Sequence, residues 1–163
     1  LVLSQKSMKA VGFSSLDLIA SGIHKPFFGV LVDARREKIY CNFYQTENHV
    51  LKRLFEKPLL LSVEELEKKI EAFSLKEPLW LAGDALVRYG KQLEKSKNMN
   101  KSNFLEESFW YPKAREAYAL IHHQIEKGEK LELRDIRPIY MRRSEAEEKW
   151  GLCFDERDTQ YGH

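Results

Sequence analysis

The sequence predicts an α/β protein with a mixed sheet, in which antiparallel strands come first and parallel strands joined by helices follow. Two observations predict this class. A continuous apolar run at 27–32 precedes a segment rich in β-branched and aromatic residues at 39–44, as in a hairpin of buried strands. From residue 62 onward, apolar residues at helical spacing alternate with short apolar runs of strand length, as in crossover connections.

The first half of the chain is predicted to form one short helix and three strands. Ser14, followed three positions later by Asp17, can cap a helix over 15–21 that ends before Gly22. The first apolar run is predicted to be a central strand, because it is apolar on both faces, and the second segment returns beside it. Residues 50–55 predict a third strand.

In the second half, strands and helices are predicted to alternate. Ser62 and Glu65 form a capping box at the start of an amphipathic helix. Residues 78–82 predict a strand that runs directly into a helix capped by Asp84. A short strand is expected at 104–109.

The last regular helix has the clearest pattern and is predicted over 112–127. Pro112 suits its first position and Gly128 its end. Its predicted inner face consists of Ala114, Ala117, Tyr118, Ile121 and Ile125.

The complete order is strand-strand-strand-helix-strand-helix-strand-helix, which is the plan of a ribonuclease H-like lobe of the actin-like ATPase fold.

The composition limits the classes of function. The chain has 163 residues and a net charge of +2, which gives no strong field for a polyanion without a local basic patch. Its longest apolar stretches fall far short of the roughly 20 residues that span a bilayer. Cys41 and Cys153 have no spacing typical of a disulfide framework or zinc site, so a reducing cytoplasm is expected.

Four segments carry a resemblance to one family. Residues 11–16 resemble the Gly-Val-Ser-Ser-Leu segment of the TsaB family, formerly YeaZ, and residues 32–40 resemble its Ile-Asp-Ala-Arg-Arg-Gly-Glu-Val-Tyr segment. Residues 81–85 are similar to its Gly-Asp-Gly-Ala element, and 137–146 to its closing Pro-Leu-Tyr-Leu-Arg-Arg-Pro stretch. The departures are Glu37 and Ala85, each at a position where the family has glycine.

The resemblance implies a non-catalytic subunit of the cytoplasmic machinery that makes threonylcarbamoyladenosine next to the anticodon of tRNA. The implied main partner is a TsaD-like catalytic subunit, with a TsaE-like ATPase, a homodimer, and tRNA contacted through the complex as further expectations. No membrane partner is expected. The chain itself is expected to hold no metal or cofactor, and ATP or ADP would bind only in the intact complex.

The same resemblance divides the chain into three parts. Residues 1–25 are expected to be a remnant and linker helix after an amino-terminal lobe whose Asp-Thr-Ser and Gly-Pro-Gly-Ser-Phe-Thr-Gly motifs do not occur here. Residues 26–128 form the predicted ribonuclease H-like lobe. Residues 129–163 are expected to be an extended tail with a short terminal helix.

Five charged residues are candidates for contact with a protein partner or RNA. Asp33, Arg35 and Arg36 lie at the predicted hairpin turn, and paired arginines suit carboxylates and phosphates. Arg142 and Arg143 lie in a tail that also carries many acidic residues. For both groups, a solvated, salt-bridged role is the competing interpretation.

Other residues suggest an enzyme only weakly. His122 and Glu126 have the spacing of two metal ligands on one helix face, but no third ligand is indicated. Gly83 and Asp84 could place a phosphate at a helix start, although a structural cap explains them. The alternative functions are an actin-like-fold enzyme, either a phosphotransferase or an M22-type glycoprotease-like peptidase, and an RNA-binding ribonuclease H-like module.

Overall fold

A computed structural model describes residues 12–48, 50–73, 78–96 and 102–126. The helices are α1 (Ser15–Ser21), α2 (Val63–Ala72), α3 (Ala85–Lys95) and α4 (Ala114–Glu126), with a 3-10 turn at Glu107–Phe109. The strands are β1 (Phe27–Asp33), β2 (Ile39–Glu47), β3 (Val50–Arg53), β4 (Leu59–Leu61), β5 (Leu79–Ala82) and β6 (Ser102–Phe104). None of the helices in these ranges is long and apolar enough to cross a membrane.

The strands form one mixed sheet in the order β3-β2-β1-β5-β6, with β4 also paired to β2. β1 and β2 are antiparallel, with Phe27 opposite Gln45 and Asp33 opposite Ile39. β5 runs parallel to β1, and β6 runs parallel to β5. The predicted mixed sheet with β1 at its centre is therefore confirmed.

The sheet has a hydrophobic core on each face. Alternate side chains of a strand point to opposite faces, so Phe28 and Val30 of β1 join α1 on one side, while Leu31 points to the other. There it packs with buried residues of α2 and α3, including Leu66 and Leu93. Helix α4 lies against α1 and has no buried residue among its described side chains.

One strand was missed by sequence reasoning, so the order has four strands before α2 where three were predicted. The nine-residue β2 accommodates two short partners: β4 pairs with Ile39–Cys41 and β3 with Tyr44–Glu47. Between them, the Asn42 side chain donates from Nδ2 to the Phe55 carbonyl at 2.8 Å. Three leucines in a row have no alternation to indicate a strand, so the sequence pattern does not predict β4.

Two predicted elements near the end of the described chain are corrected. The strand expected at 104–109 is displaced: β6 ends at Phe104, residues 105–106 are irregular, and Glu107–Phe109 forms a 3-10 turn. Helix α4 begins at Ala114, not at Pro112, and the Lys113 carbonyl accepts its first hydrogen bonds.

The predicted inner face of α4 is also wrong in part. Ala114 is exposed and Tyr118 is 71% exposed, while Ala117 and Ile121 are half-buried. The reason is that α4 contacts α1 through a different side of the helix. Gly128, the expected end, lies outside the described residues.

Candidate functional site

The candidate site is a corner of the sheet, formed by residues 33–38 at the end of β1, Gly83 and Asp84 after β5, and Arg88 on α3. Because β1 and β5 are parallel neighbours, their carboxyl ends meet at one edge of the sheet. Functional groups commonly gather at such an edge. The corner thus brings Asp33, Arg35 and Arg36 together with Asp84 and Arg88, two residues that the sequence did not associate with them.

Two carboxylates of this corner bind backbone groups. Asp84 Oδ1 accepts a hydrogen bond of 2.9 Å from the backbone N–H of Asp33. Asp33 Oδ1 in turn accepts one of 2.9 Å from the backbone N–H of Arg35. Asp84 stands at the N-cap of α3 but makes no side-chain capping bond, so the prediction that it caps the helix is corrected. Its carboxylate instead fastens the start of α3 to the end of β1.

Asp33 also faces two guanidinium groups. Its Oδ2 lies 3.8 Å from Arg35 Nη1 and 3.9 Å from Arg88 Nη1, and its side chain is only 15% exposed. The two arginines are more accessible, at 84% and 49%. The negative charge therefore lies beneath the cations, and the surface that a partner would meet at Arg35 is positive.

The turn itself has an unusual backbone. Arg35, Arg36 and Glu37 have φ values of 62°, 47° and 61°, in the left-handed region that favours glycine. The turn is closed by hydrogen bonds of 3.0 Å from Ala34 N–H to the Lys38 carbonyl and from Lys38 N–H to the Arg35 carbonyl. Glu37 thus adopts a backbone conformation that glycine adopts more easily. Strain of this kind is found most often where a local conformation is needed for function.

Gly83 explains why the corner is so close-packed. It has a φ of 116°, and a Cβ added there would lie 2.0 Å from the Leu31 carbonyl oxygen. Only glycine lets the loop pass against the backbone of β1 and place Asp84 below Asp33. Sequence reasoning identified Gly83 as a boundary but missed this close approach, for which a single glycine gives no signal.

An ion pair connects the turn to α2. Lys38 Nζ lies 3.0 Å from Glu65 Oε2, and the same oxygen accepts from the Ser62 backbone N–H at 2.6 Å, completing the predicted capping box. The Ser62 hydrogen bond, followed by Lys38, lowers the pKa of the Glu65 carboxyl from its usual value. The turn is thus held from both sides, by α2 and by α3.

The two carboxylates of the corner have defined partners. Asp84 accepts a hydrogen bond from a backbone N–H, and Asp33 accepts one from a backbone N–H and lies near two arginines. Within residues 12–48, 50–73, 78–96 and 102–126, no group of three or more His, Cys, Asp or Glu residues could hold a metal ion. What the corner offers to solvent is a guanidinium held on a constrained turn, a group suited to carboxylates and phosphates.

A second polar cluster joins α1 to the sheet and was not predicted. Asp17 is buried, and its Oδ1 accepts from Tyr44 Oη at 2.9 Å and from Arg53 Nε at 2.8 Å, while Oδ2 pairs with Arg53 Nη2. Burial, followed by the Asp17 charge, raises the pKa of Tyr44. Asp17 lies on the buried face of α1 with Leu16 and Ala20. A charged residue among the apolar residues of a helix face was the sequence signal that could have indicated this cluster.

The remaining sequence candidates have ordinary surroundings. His122 Nδ1 lies 3.4 Å from Glu126 Oε1 in an exposed pair on α4. Cys41 is buried in β2, where burial raises the pKa of its thiol to about 12, as expected for a small hydrophobic residue. Arg142 and Arg143, with the predicted tail 129–163, lie outside the described residues, so those expectations stay predictions.

The fold and corner together define a mixed-sheet α/β domain whose parallel strands β1 and β5 end at a charged corner. No protein-family model and no curated protein matches the chain. Among solved structures, an uncharacterized protein with similarity to peptidase YEAZ from Pseudomonas aeruginosa matches with a TM-score of 0.61 and 18% identity. YeaZ from Pseudomonas aeruginosa matches with a TM-score of 0.56 and 17% identity.

These matches show that the chain has a YeaZ-like fold. They cover 82% and 78% of this chain, but only 59% and 58% of the two solved chains. The chain therefore spans less than two thirds of the length of either structure.

Proposed function

We propose that this chain is the carboxy-terminal, ribonuclease H-like lobe of a TsaB (YeaZ)-type protein, and that it is a non-catalytic subunit in the synthesis of threonylcarbamoyladenosine in tRNA. The observation that carries the proposal is the YeaZ-like fold, found independently of the four sequence segments that resemble the TsaB family. Sequence resemblance and backbone geometry thus support the same family.

The strand arrangement supports the finer description of the lobe. β2 and β1 form an antiparallel hairpin, and β1, β5 and β6 continue as parallel strands with α2 and α3 between them in the chain. This is the order expected of a ribonuclease H-like lobe in an actin-like protein.

The contacts made by the two carboxylates of the corner favour a non-catalytic role for the chain. A general base or a metal ligand needs a carboxylate with free lone pairs directed at the reacting group. Both oxygens of Asp33 are engaged, Oδ1 by the Arg35 backbone N–H and Oδ2 by two guanidinium groups, and Asp84 Oδ1 accepts from the Asp33 backbone N–H. We assign Arg35 and Arg36 to contact with an acidic surface of a TsaD-like subunit or with tRNA held in the complex.

The test is reconstitution with the full-length protein. Purified TsaD-like and TsaE-like subunits, with the enzyme that supplies threonylcarbamoyl adenylate, are incubated with tRNA and ATP, and modified adenosine is measured by mass spectrometry. We expect product only when this protein is present, and none from this protein alone. Equal product in its absence would refute the proposed function.

The corner is tested in the same assay. Arg35→Glu/Arg36→Glu should reduce product formation about tenfold or more, because charge reversal at a contact site replaces attraction with repulsion. The matched control is Arg115→Glu on α4, an exposed arginine on the other side of the sheet, which should leave product formation unchanged. Equal effects of both variants would remove the corner from the interface.

The alternative functions give distinct results. Hydrolysis of a protein substrate by this protein alone would favour a peptidase, and magnesium-dependent binding of ATP by the chain alone would favour a phosphotransferase. Tight tRNA binding that weakens steeply as salt rises would favour an RNA-binding module.

A further inference from the structure

Two arginines from different parts of the fold converge on one oxygen of Asp33. Arg35 lies on the turn after β1 and Arg88 lies on α3, and their Nη1 atoms are 3.8 and 3.9 Å from Asp33 Oδ2. Both distances exceed that of an N–H···O hydrogen bond, so Asp33 attracts the two Nη1 groups by charge without taking up their N–H donors. We call Arg35 and Arg88 the arginine pair.

The arginine pair carries more charge than Asp33 balances. One carboxylate offsets only one of two guanidinium charges, so the set keeps one unit of positive charge. Both arginine side chains are far more exposed than that of Asp33, so this charge faces solvent. One further carboxylate would bring the set to neutrality.

Given the proposed function, on which this step rests, we propose that the arginine pair together holds one carboxylate of an acidic protein partner. Since the two Nη1 atoms lie 3.8 and 3.9 Å from the same oxygen, they are at most about 8 Å apart. Two hydrogen bonds of about 2.9 Å, one to each oxygen of a carboxylate, span roughly that distance. Arg88 is thereby added to the contact site, and Asp33 is its positioning residue.

The arginine pair is held in position before a partner binds. The Arg35 backbone N–H donates to Asp33 Oδ1 at 2.9 Å, and two hydrogen bonds of 3.0 Å close the turn. Arg88 Cζ lies 5.3 Å from the ring centre of buried Tyr89, which is within the range of a cation–π contact. Such a preorganised site loses less conformational entropy when it binds.

The charges around the corner favour a protein carboxylate over an RNA backbone, because they cancel. The cations are Arg35, Arg36, Lys38 and Arg88, and the anions are Asp33, Glu37, Asp84 and, on α2, Glu65. A nucleic acid gains affinity when many cations neutralise successive phosphates. A strand laid over this turn would also meet exposed Glu37, whereas a single carboxylate needs only the arginine pair.

Isothermal titration calorimetry of the full-length protein with the purified TsaD-like subunit tests the proposal. Arg35→Gln and Arg88→Gln should each weaken binding about tenfold. The double variant should weaken it no more than about thirtyfold, because both side chains hold the same carboxylate and their losses are not additive. Independent contacts would multiply to about a hundredfold loss, and that result would overturn the proposal.

Two single variants sharpen the test. Arg88→Lys keeps the charge but removes the planar fork, so binding should still fall roughly threefold. The matched control, Arg115→Gln, alters an exposed arginine of α4 and should leave binding unchanged. Urea midpoints report whether each variant remains folded. Full affinity in Arg88→Lys would show that charge alone acts at this position and would contradict the shared carboxylate.

Binding of tRNA to the assembled complex, measured by filter binding with the same variants, gives the competing outcome. If the variants weaken tRNA binding but bind the subunit as tightly as the wild type, phosphate is the ligand and the proposal is wrong. Failure here is distinct from failure of the proposed function. If the wild type restores modified adenosine while Arg35→Gln and Arg88→Gln bind the subunit normally, only the role of the arginine pair is refuted. If the wild type restores none, the proposed function itself fails.

Discussion

Helices α3 and α4 are both amphipathic and of similar length, yet the domain uses them differently. α3 has 11 residues, and Ala85, Leu86, Tyr89, Gly90 and Leu93 are all buried against the sheet. α4 has 13 residues and lies on α1 with no buried side chain among those described. An apolar stripe therefore shows that a helix has something to bury, but it does not show what covers it.

The difference begins with how each helix leaves the sheet. α3 follows β5 after Gly83 and Asp84, and Asp84 fastens it to the Asp33 backbone. α4 follows β6 through a 3-10 turn and an irregular segment, so its direction is set by contact with α1. The first connection fixes the position of α3 directly. The position of α4 depends instead on the elements that pack against it.

Breaking the α3 connection should have the largest effect. Gly83→Ala places a Cβ 2.0 Å from the Leu31 carbonyl at a φ that only glycine adopts freely, so we expect a loss of more than about 4 kcal/mol. Gly90→Ala, within α3, meets nothing closer than Phe104 Cε2 at 3.5 Å and should gain about 0.5–1 kcal/mol from helix propensity. Urea unfolding of both variants measures this. Similar losses would contradict the role of Gly83.

A matched pair of leucines measures the contrast directly. Leu93→Ala empties a fully buried site of α3 and should cost about 2–5 kcal/mol. Leu120→Ala, at a half-buried site on α4, should cost no more than about half of that. Denaturant midpoints and slopes are compared in the full chain. Equal costs would mean that α4 is as well buried as α3.

The third expected effect concerns α1, the support on which α4 rests. Asp17→Asn keeps the shape of the side chain but removes the negative charge that accepts hydrogen bonds from Arg53 and Tyr44. The free energy of unfolding should therefore fall by about 1–3 kcal/mol. The control is Lys52→Met, which breaks an exposed pair with Glu47 and should change stability by less than about 1 kcal/mol. A smaller loss for Asp17→Asn than for Lys52→Met would show that the cluster does not hold α1.

The same contrast explains what sequence reasoning could reach. Burial on both faces identified β1 as central, and the Ser62 capping box identified the start of α2, because both signals are local. The contacts that build the corner join Asp33 to Asp84 across 51 positions of the chain, and no periodicity encodes such a pairing. The sequence identifies Arg35 and Arg36 as candidates. The part played by Arg88 and the close approach at Gly83 are visible only in the folded structure.

The smallest expected effect tests the ion pair that ties α2 to the corner. The pKa of Glu65 is lowered by its Ser62 hydrogen bond and by Lys38, so the folded state favours the carboxylate. That contribution is complete above the ordinary pKa of 4.5 and is lost as pH falls through the lower, folded-state pKa. A double-mutant cycle of Lys38→Met and Glu65→Gln should show favourable coupling at pH 7 that disappears near pH 3.

Salt provides the control for this cycle, since Lys38 and Glu65 are 38% and 53% exposed. The coupling at pH 7 should weaken as ionic strength rises, because exposed charges are screened. The capping bond should survive in Glu65→Gln, because glutamine also accepts from the N-cap backbone. Coupling that persisted unchanged near pH 3 would mean that charge does not connect the turn to α2, leaving Asp84 and Gly83 as the connections that set the corner.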